Sequence, residues 1–166
     1  MSGAARAETL TGQLSVRLII GPGCTVTNGS STGGVNSWGT LDFGTKADLN
    51  NAFSSRALGA DNANPITITC NTATSPTLTF NGGANTGSGN LRYMASAGNR
   101  IAYRLYTDSA FSTPITANTA ISIPNNTGQA FNIYGRILPE DQTATTAGLT
   151  PPAGTYNDTV VATLVW

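Results

Sequence analysis

The sequence predicts an all-β sandwich. Three features point there: short apolar runs that alternate every second residue, turn clusters between them, and a near-absence of residues that clothe helix surfaces. Of the 166 residues, 74 are Thr, Asn, Ser or Gly, against one Lys (Lys46) and two Glu (Glu8 and Glu140). Threonine fits a pleated strand, and Asn, Ser and Gly favour turns, so composition and periodicity agree. The length suits one ordinary domain.

The elements follow in chain order. Leu10, Gly12, Leu14, Val16, Leu18 and Ile20 alternate with Thr11, Gln13, Ser15, Arg17 and Ile19, the longest regular alternation in the chain. Gly21-Pro22-Gly23 then breaks it. Proline has no N–H to pair and glycine costs backbone entropy, so this tripeptide reads as a hinge. Residues 46–60 are the nearest approach to a helix, weakened by the Asn50-Asn51 and Ser54-Ser55 pairs. Ile66, Ile68 and Cys70 alternate with Thr67 and Thr69, and Leu78 and Phe80 follow a Ser-Pro turn. Ile101, Tyr103 and Leu105 share one face of a strand whose other face carries Ala102, Arg104 and Tyr106. Ile121-Ser122-Ile123 is a short strand ended by Pro124. Phe131, Ile133, Gly135 and Ile137 form another, stopped at Pro139. Tyr156, Val160, Ala162, Leu164 and Trp166 alternate with Thr159, Val161, Thr163 and Val165 in the last one. Turn clusters such as Gly82-Gly83, Gly87-Ser88-Gly89, Asn125-Asn126 and Pro151-Pro152 separate the runs. Short strands at this spacing give the sandwich an immunoglobulin-like character.

Charge and composition exclude several functions. Eight basic residues balance eight acidic ones, which excludes a strongly basic nucleic-acid binder. Histidine is absent, so no Ser-His-Asp or Cys-His catalytic set and no His-ligated metal site exist. No cofactor is expected, and the composition is that of a secreted protein rather than an enzyme. Glu140-Asp141 reads as a solvated loop, Asp61-Asn62-Ala63-Asn64 as turn chemistry before Pro65 rather than a calcium loop, and Asp42 and Asp48 carry no further signal. Trp38, Tyr93, Tyr103, Tyr106, Tyr134 and Trp166 are expected to pack rather than to stack on sugars. Asn28, Asn125 and Asn157 head glycosylation-like sequons. Cys24 and Cys70 are the only cysteines. A structural disulfide in an oxidising compartment is the expectation, with two buried thiols as the alternative. Residues 1–7 end in Ala5-Arg6-Ala7, the small-x-small form of a signal-peptidase site, and read either as a signal remnant or as a disordered N-terminus.

The two ends carry the functional signal. A long apolar strand at a sheet edge invites pairing with another chain. The segment from Leu10 to Ile20 is either the first strand of its own sandwich or a strand offered elsewhere, and periodicity alone leaves both open.

Several motifs in order resemble a known family. Thr11-Gly12-Gln13-Leu14-Ser15-Val16-Arg17-Leu18 leads to Gly23-Cys24-Thr25-Val26, then Gly39-Thr40-Leu41-Asp42-Phe43-Gly44 and Ile66-Thr67-Ile68-Thr69-Cys70. Ile101-Ala102-Tyr103-Arg104-Leu105-Tyr106, Tyr134-Gly135-Arg136-Ile137 and Gly154-Thr155-Tyr156-Asn157-Asp158-Thr159-Val160 follow. Together these resemble the spore coat protein U family, in particular the major pilins of archaic chaperone–usher pili of the Csu and CupE type. The resemblance implies an incomplete immunoglobulin-like sandwich over residues 24–166, completed by a donor strand from the neighbouring subunit. It makes residues 8–20 that donor strand, with Leu10, Gly12, Leu14, Val16, Leu18 and Ile20 facing the groove and Gly21, Pro22 and Gly23 as linker. It makes Tyr156, Val160, Ala162, Leu164 and Trp166 one wall of the acceptor groove and the strand a chaperone recognises. The implied partners are identical subunits in an open linear polymer, a periplasmic chaperone, an outer-membrane usher and a tip adhesin subunit. The implied location is an extracellular pilus, reached through the periplasm and serving biofilm formation and attachment. The competing expectation is a secreted, monomeric sandwich that binds carbohydrate or coats a cell or spore surface.

Overall fold

Alternation decides where strands form, and Pro and Gly decide where they stop. The computed structural model describes residues 13–32, 35–72, 75–85, 89–124, 128–143 and 145–166. Leu10, Gly12, residues 1–7, Gly87-Ser88 and the Asn125-Asn126-Thr127 sequon lie outside the described residues. Within them run β1 (Gly23–Thr27), β2 (Ser30–Thr32), β3 (Val35–Ser37), β4 (Phe53–Arg56), β5 (Ile66–Asn71), β6 (Thr77–Phe80) and β7 (Arg92–Ser96). After these come β8 (Asn99–Tyr106), β9 (Ile121–Ser122), β10 (Gly128–Phe131), β11 (Tyr134–Ile137), the one-turn helix α1 (Pro139–Gln142) and β12 (Ala162–Val165).

All sheet pairings are antiparallel. One sheet has the order β4-β11-β8-β7, and two three-stranded sheets have the orders β1-β5-β10 and β12-β6-β9. Their inward residues form one core: Ile66, Ile68 and Cys70 of β5, Leu78 and Phe80 of β6, Ile101, Tyr103 and Leu105 of β8, and Ile137 of β11. Phe80 stacks on Phe131 at 5.9 Å between ring centroids, joining the two three-stranded sheets. The architecture is the all-β, immunoglobulin-like sandwich that the alternation predicts.

Four details depart from the sequence reading. The run from Phe131 to Ile137 is two strands, because the chain changes sheets at Asn132-Ile133: β10 pairs with β5, whereas β11 pairs with β4 and β8. Period-two patterning survives such a crossing, so alternation does not reveal it. Gly23 already pairs with Asn71 inside β1, which shortens the unpaired hinge to Gly21 and Pro22. Residues 46–60, too weakly patterned for a helix, hold none, as read, but they contain β4, a strand that the alternation did not mark. The solvated loop expected at Glu140-Asp141 is instead α1, packed on β8.

That helix caps the edge of β8 where β11 ends. Gln142 is fully buried; its Oε1 accepts from the Ala102 N–H at 2.9 Å and its Nε2 donates to the Ala102 carbonyl at 2.9 Å. One side chain thus supplies the two backbone partners that β11 no longer offers beyond Arg104, and leaves no orphaned amide in the core. Arg104 donates to both oxygens of Asp141, each at 2.6 Å, and the Asp141 side chain is only 7 % exposed. Bidentate pairing of a nearly buried carboxylate is among the stronger ionic contacts. Asp141→Ala is expected to lower the unfolding free energy by about 2 kcal/mol in a urea titration, because Arg104 is left partly desolvated and alone. An unchanged midpoint would make the pair ornamental.

The disulfide expectation is met: Cys24 and Cys70 are bonded and sit directly opposite in the β1–β5 register. Asp61 does the turn chemistry its neighbours suggest. Its Oδ1 accepts from the backbone N–H groups of Asn64 at 2.9 Å and Ala63 at 3.0 Å and from Asn28 Nδ2 at 3.0 Å, while Oδ2 accepts from Asn64 Nδ2 at 2.8 Å. These bonds, the Asn64 amide foremost, hold the carboxyl well below the usual carboxylate range. Among the described residues no three His, Cys, Asp or Glu gather as a metal site, and no helix is long and apolar enough to cross a membrane.

Candidate functional site

The candidate site has two parts: a groove in the sandwich and a segment outside it. β12 pairs with β6 along one edge, with Ala162 opposite Phe80 and Leu164 opposite Leu78. Among the described residues no strand pairs with its other edge. Val161 turns its backbone toward β6, since its carbonyl accepts from the Asn81 N–H at 2.9 Å. Antiparallel alternation therefore aims the backbone N–H and C=O of Val160, Ala162 and Leu164 at the open side. Their side chains are half-buried, while those of Val161 and Val165 are exposed.

Beyond that open edge lies a groove of about 480 Å³. Its floor is apolar, built from Phe80, Met94, Tyr103 and Leu105; Trp38 and Leu41 form the wall opposite Val160 and Ala162. That opposite wall is itself pinned, because Thr40 exchanges both backbone hydrogen bonds with Leu58, at 2.8 and 2.9 Å. A cleft with apolar side chains below and free backbone groups along its rim has the chemistry of a missing strand.

At one end the groove turns polar. Asn157 pairs with Ala95 of β7 through bonds of 2.9 and 3.1 Å before the chain crosses to β6. At this crossing, Asp158 Oδ2 accepts from the Tyr103 hydroxyl at 2.6 Å. Its Oδ1 accepts from the Ala84 N–H at 2.8 Å and from Asn85 Nδ2 at 3.2 Å. Gly83, at φ +85°, makes room, since a Cβ there would overlap the carboxylate. Burial, and then the bond to Asp158, push the Tyr103 hydroxyl well above the ordinary phenol range, so it keeps its proton and donates.

The second part is the N-terminal segment. Residues 13–20 form no strand and are all exposed. Leu14 is 89 %, Val16 87 %, Leu18 83 % and Ile20 76 % exposed. The only other exposed large apolar residues among those described are Ile19 beside them and Val161, Val165 and Trp166 at the C-terminal strand. Residues 13–20 thus make no first strand for their own sandwich.

The structure gathers Tyr156, Val160 and Ala162 on the groove and leaves Leu164 half-buried on the same strand face. Trp166 is 56 % exposed, at the end of the alternation. Of the aromatics singled out in the sequence, Trp38 and Tyr103 line the groove, while Tyr106 is buried elsewhere against Phe111. The sequence reading missed the opposite wall and the floor. Trp38 and Leu41 lie in a stretch without alternation, and Tyr103 carries only the ordinary signal of a core position. Asp158 is the one polar residue on the inner face of the last run, and no local pattern marks Tyr103, Ala84 or Asn85 as its partners.

An antiparallel, immunoglobulin-like sandwich with one strand edge open along an apolar groove is the class of protein that this geometry defines. The Spore Coat Protein U domain matches residues 10–163, and the chain belongs to that family. It is 31 % identical over 172 residues to Protein U of Myxococcus xanthus, covering 98 % of this chain and 88 % of that protein. Its fold is similar to that of a chain in the crystal structure of the CsuC–CsuE chaperone–tip adhesion subunit pre-assembly complex, from the archaic chaperone–usher Csu pili of Acinetobacter baumannii. There the TM-score is 0.50 and the identity 21 %, over 87 % of this chain and 40 % of that one. The chain therefore spans about two fifths of that neighbour's length, and the likeness is one of fold.

Proposed function

We propose that this chain is a structural pilus subunit, a major pilin that polymerises by donor-strand exchange. The observation that carries the reading is the match between its two unsatisfied parts. Leu14, Val16, Leu18 and Ile20 are a row of exposed apolar side chains at strand spacing, and the groove is lined by apolar side chains such as Phe80, Met94 and Leu105 beside β12, whose second edge is unpaired among the described residues. Inserted as a strand, residues 8–20 of one copy complete the sandwich of the next, with backbone hydrogen bonds giving affinity and alternate side chains giving specificity. Donor and acceptor are different surfaces, so the contact is heterologous and grows an open fibre. No catalytic step is needed.

The fold shared with a subunit of a chaperone–usher pilus extends the reading to partners. A periplasmic chaperone holds the groove until an outer-membrane usher exchanges it for the next subunit, and a separate tip adhesin ends the fibre. The location is then an extracellular pilus, serving attachment and biofilm formation. Electron microscopy of the purified protein is the test, before and after heating in denaturant. Unbranched fibres that fall apart only under the harsher treatment are expected. A discrete particle of concentration-independent mass, with saturable glycan binding, would instead establish the secreted carbohydrate-binding sandwich.

A further inference from the structure

An empty apolar groove in water is under pressure to close. Its floor gains by leaving water, and a void inside a packed domain forfeits contacts. Among the described residues β12 is paired on one edge only, so its position relative to the four-stranded sheet must be set from elsewhere.

We propose that the Tyr103–Asp158 hydrogen bond sets the width of the empty groove and so keeps it ready to accept a strand. This inference rests on the donor-strand reading above and assigns a positioning role within it. Tyr103 belongs to β8, in the four-stranded sheet, and is only 5 % exposed. Its ring meets Phe43 edge-on at 6.4 Å, which leaves the ring little freedom to swing. Asp158 stands where the chain leaves the edge of that sheet for the sheet of β6 and β12. The 2.6 Å bond therefore joins the two layers through a rigid aromatic spacer, two residues before Val160 on the groove wall.

The anchor on the Asp158 side is equally fixed. The Ala84 N–H and Asn85 Nδ2 hold its other oxygen, and Asn85 Nδ2 also donates to the Asn157 carbonyl at 3.0 Å. Arg92 fixes the neighbouring strand. It is fully buried on β7, with Nε donating to the Asn81 carbonyl at 2.9 Å and Nη1 to the Ile115 carbonyl at 2.8 Å. Its Nη2 has no partner, and burial pushes the guanidinium below its ordinary range, an effect that Tyr103 and Asp158 only partly oppose. Asp158 is therefore held in place by bonds to both of its oxygens.

Tyr103→Phe removes the hydroxyl and leaves the ring. The full chain is diluted from denaturant at matched concentrations, fibre growth is followed by light scattering, and the finished fibres are melted. Growth about tenfold slower than wild type is expected, the size of effect that loss of one hydrogen bond to a charged group allows. The finished fibres should melt close to wild type, because an inserted strand then holds β12 in place. Equal growth rates overturn the proposal whatever the melting temperature, and so does a slower rate matched by a proportionate loss of fibre stability. If the wild-type chain forms no fibres, the donor-strand reading itself fails, and this inference falls with it.

Discussion

On the donor-strand proposal, deleting residues 8–20 is expected to abolish fibre growth and to leave the sandwich intact. Residues 13–20 contribute no sheet pairing and expose Leu14, Val16, Leu18 and Ile20, so their removal takes nothing from the core. Each of those side chains gains roughly 1.5–3 kcal/mol on full burial, which sums to a gross term on the order of 10 kcal/mol for one inserted segment. That equals the net stability of many whole domains, before the ordering of the segment and the loss of free motion are subtracted. The truncated chain should give no fibres by electron microscopy. Mixed with full-length chain, it should accept a strand and then end the polymer, because it has none to pass on. Fibres of normal length from the truncated chain alone would show that another surface drives assembly. A single interior change, Leu18→Asp, should act almost as strongly, since a carboxylate would enter an apolar groove without a partner.

Cys24→Ser is expected to cost about 4 kcal/mol of unfolding free energy. The bridge closes a loop with a sequence separation of 46, and closure entropy of a loop that size sets the figure. Against a domain stability of roughly 5–15 kcal/mol this is a large share, so the subunit should accumulate poorly in the periplasm. Denaturant titrations of the variant, and of the wild type with and without reductant, measure the loss. Coincident curves would remove the disulfide from the account of stability.

The sandwich was legible because its inward positions repeat every second residue. Ile66, Ile68 and Cys70 are all buried in β5, and Leu78 and Phe80 in β6, as alternation requires. The sheet change at Asn132-Ile133 was not legible, since crossing between layers leaves the period untouched. Asp141 and Gln142 were not legible either. Their partners, Arg104 and Ala102, are near in space through α1 and distant in sequence, and no local pattern announces such a pairing. The groove was half readable. Val160, Ala162 and Leu164 declare an apolar face on the last strand, but Trp38 and Leu41 reach the opposite wall only through the pairing of Thr40 with Leu58. Ala102, Arg104 and Tyr106 were read as one strand face, on which Ala102 and Tyr106 are buried, Tyr106 against Phe111, and Arg104 is paired with Asp141 of α1.

The position of the Cys24–Cys70 bond has a mechanical consequence. A pull along residues 13–20 crosses only Gly21, Pro22 and Gly23 before it meets a covalent tie to β5, the middle strand of its sheet. Tension therefore cannot unzip β1 past its second residue while the sulfurs stay joined. Stretching is confined to the glycine–proline joint, so in the proposed fibre a load would bend the chain between subunits without unravelling any of them from that end.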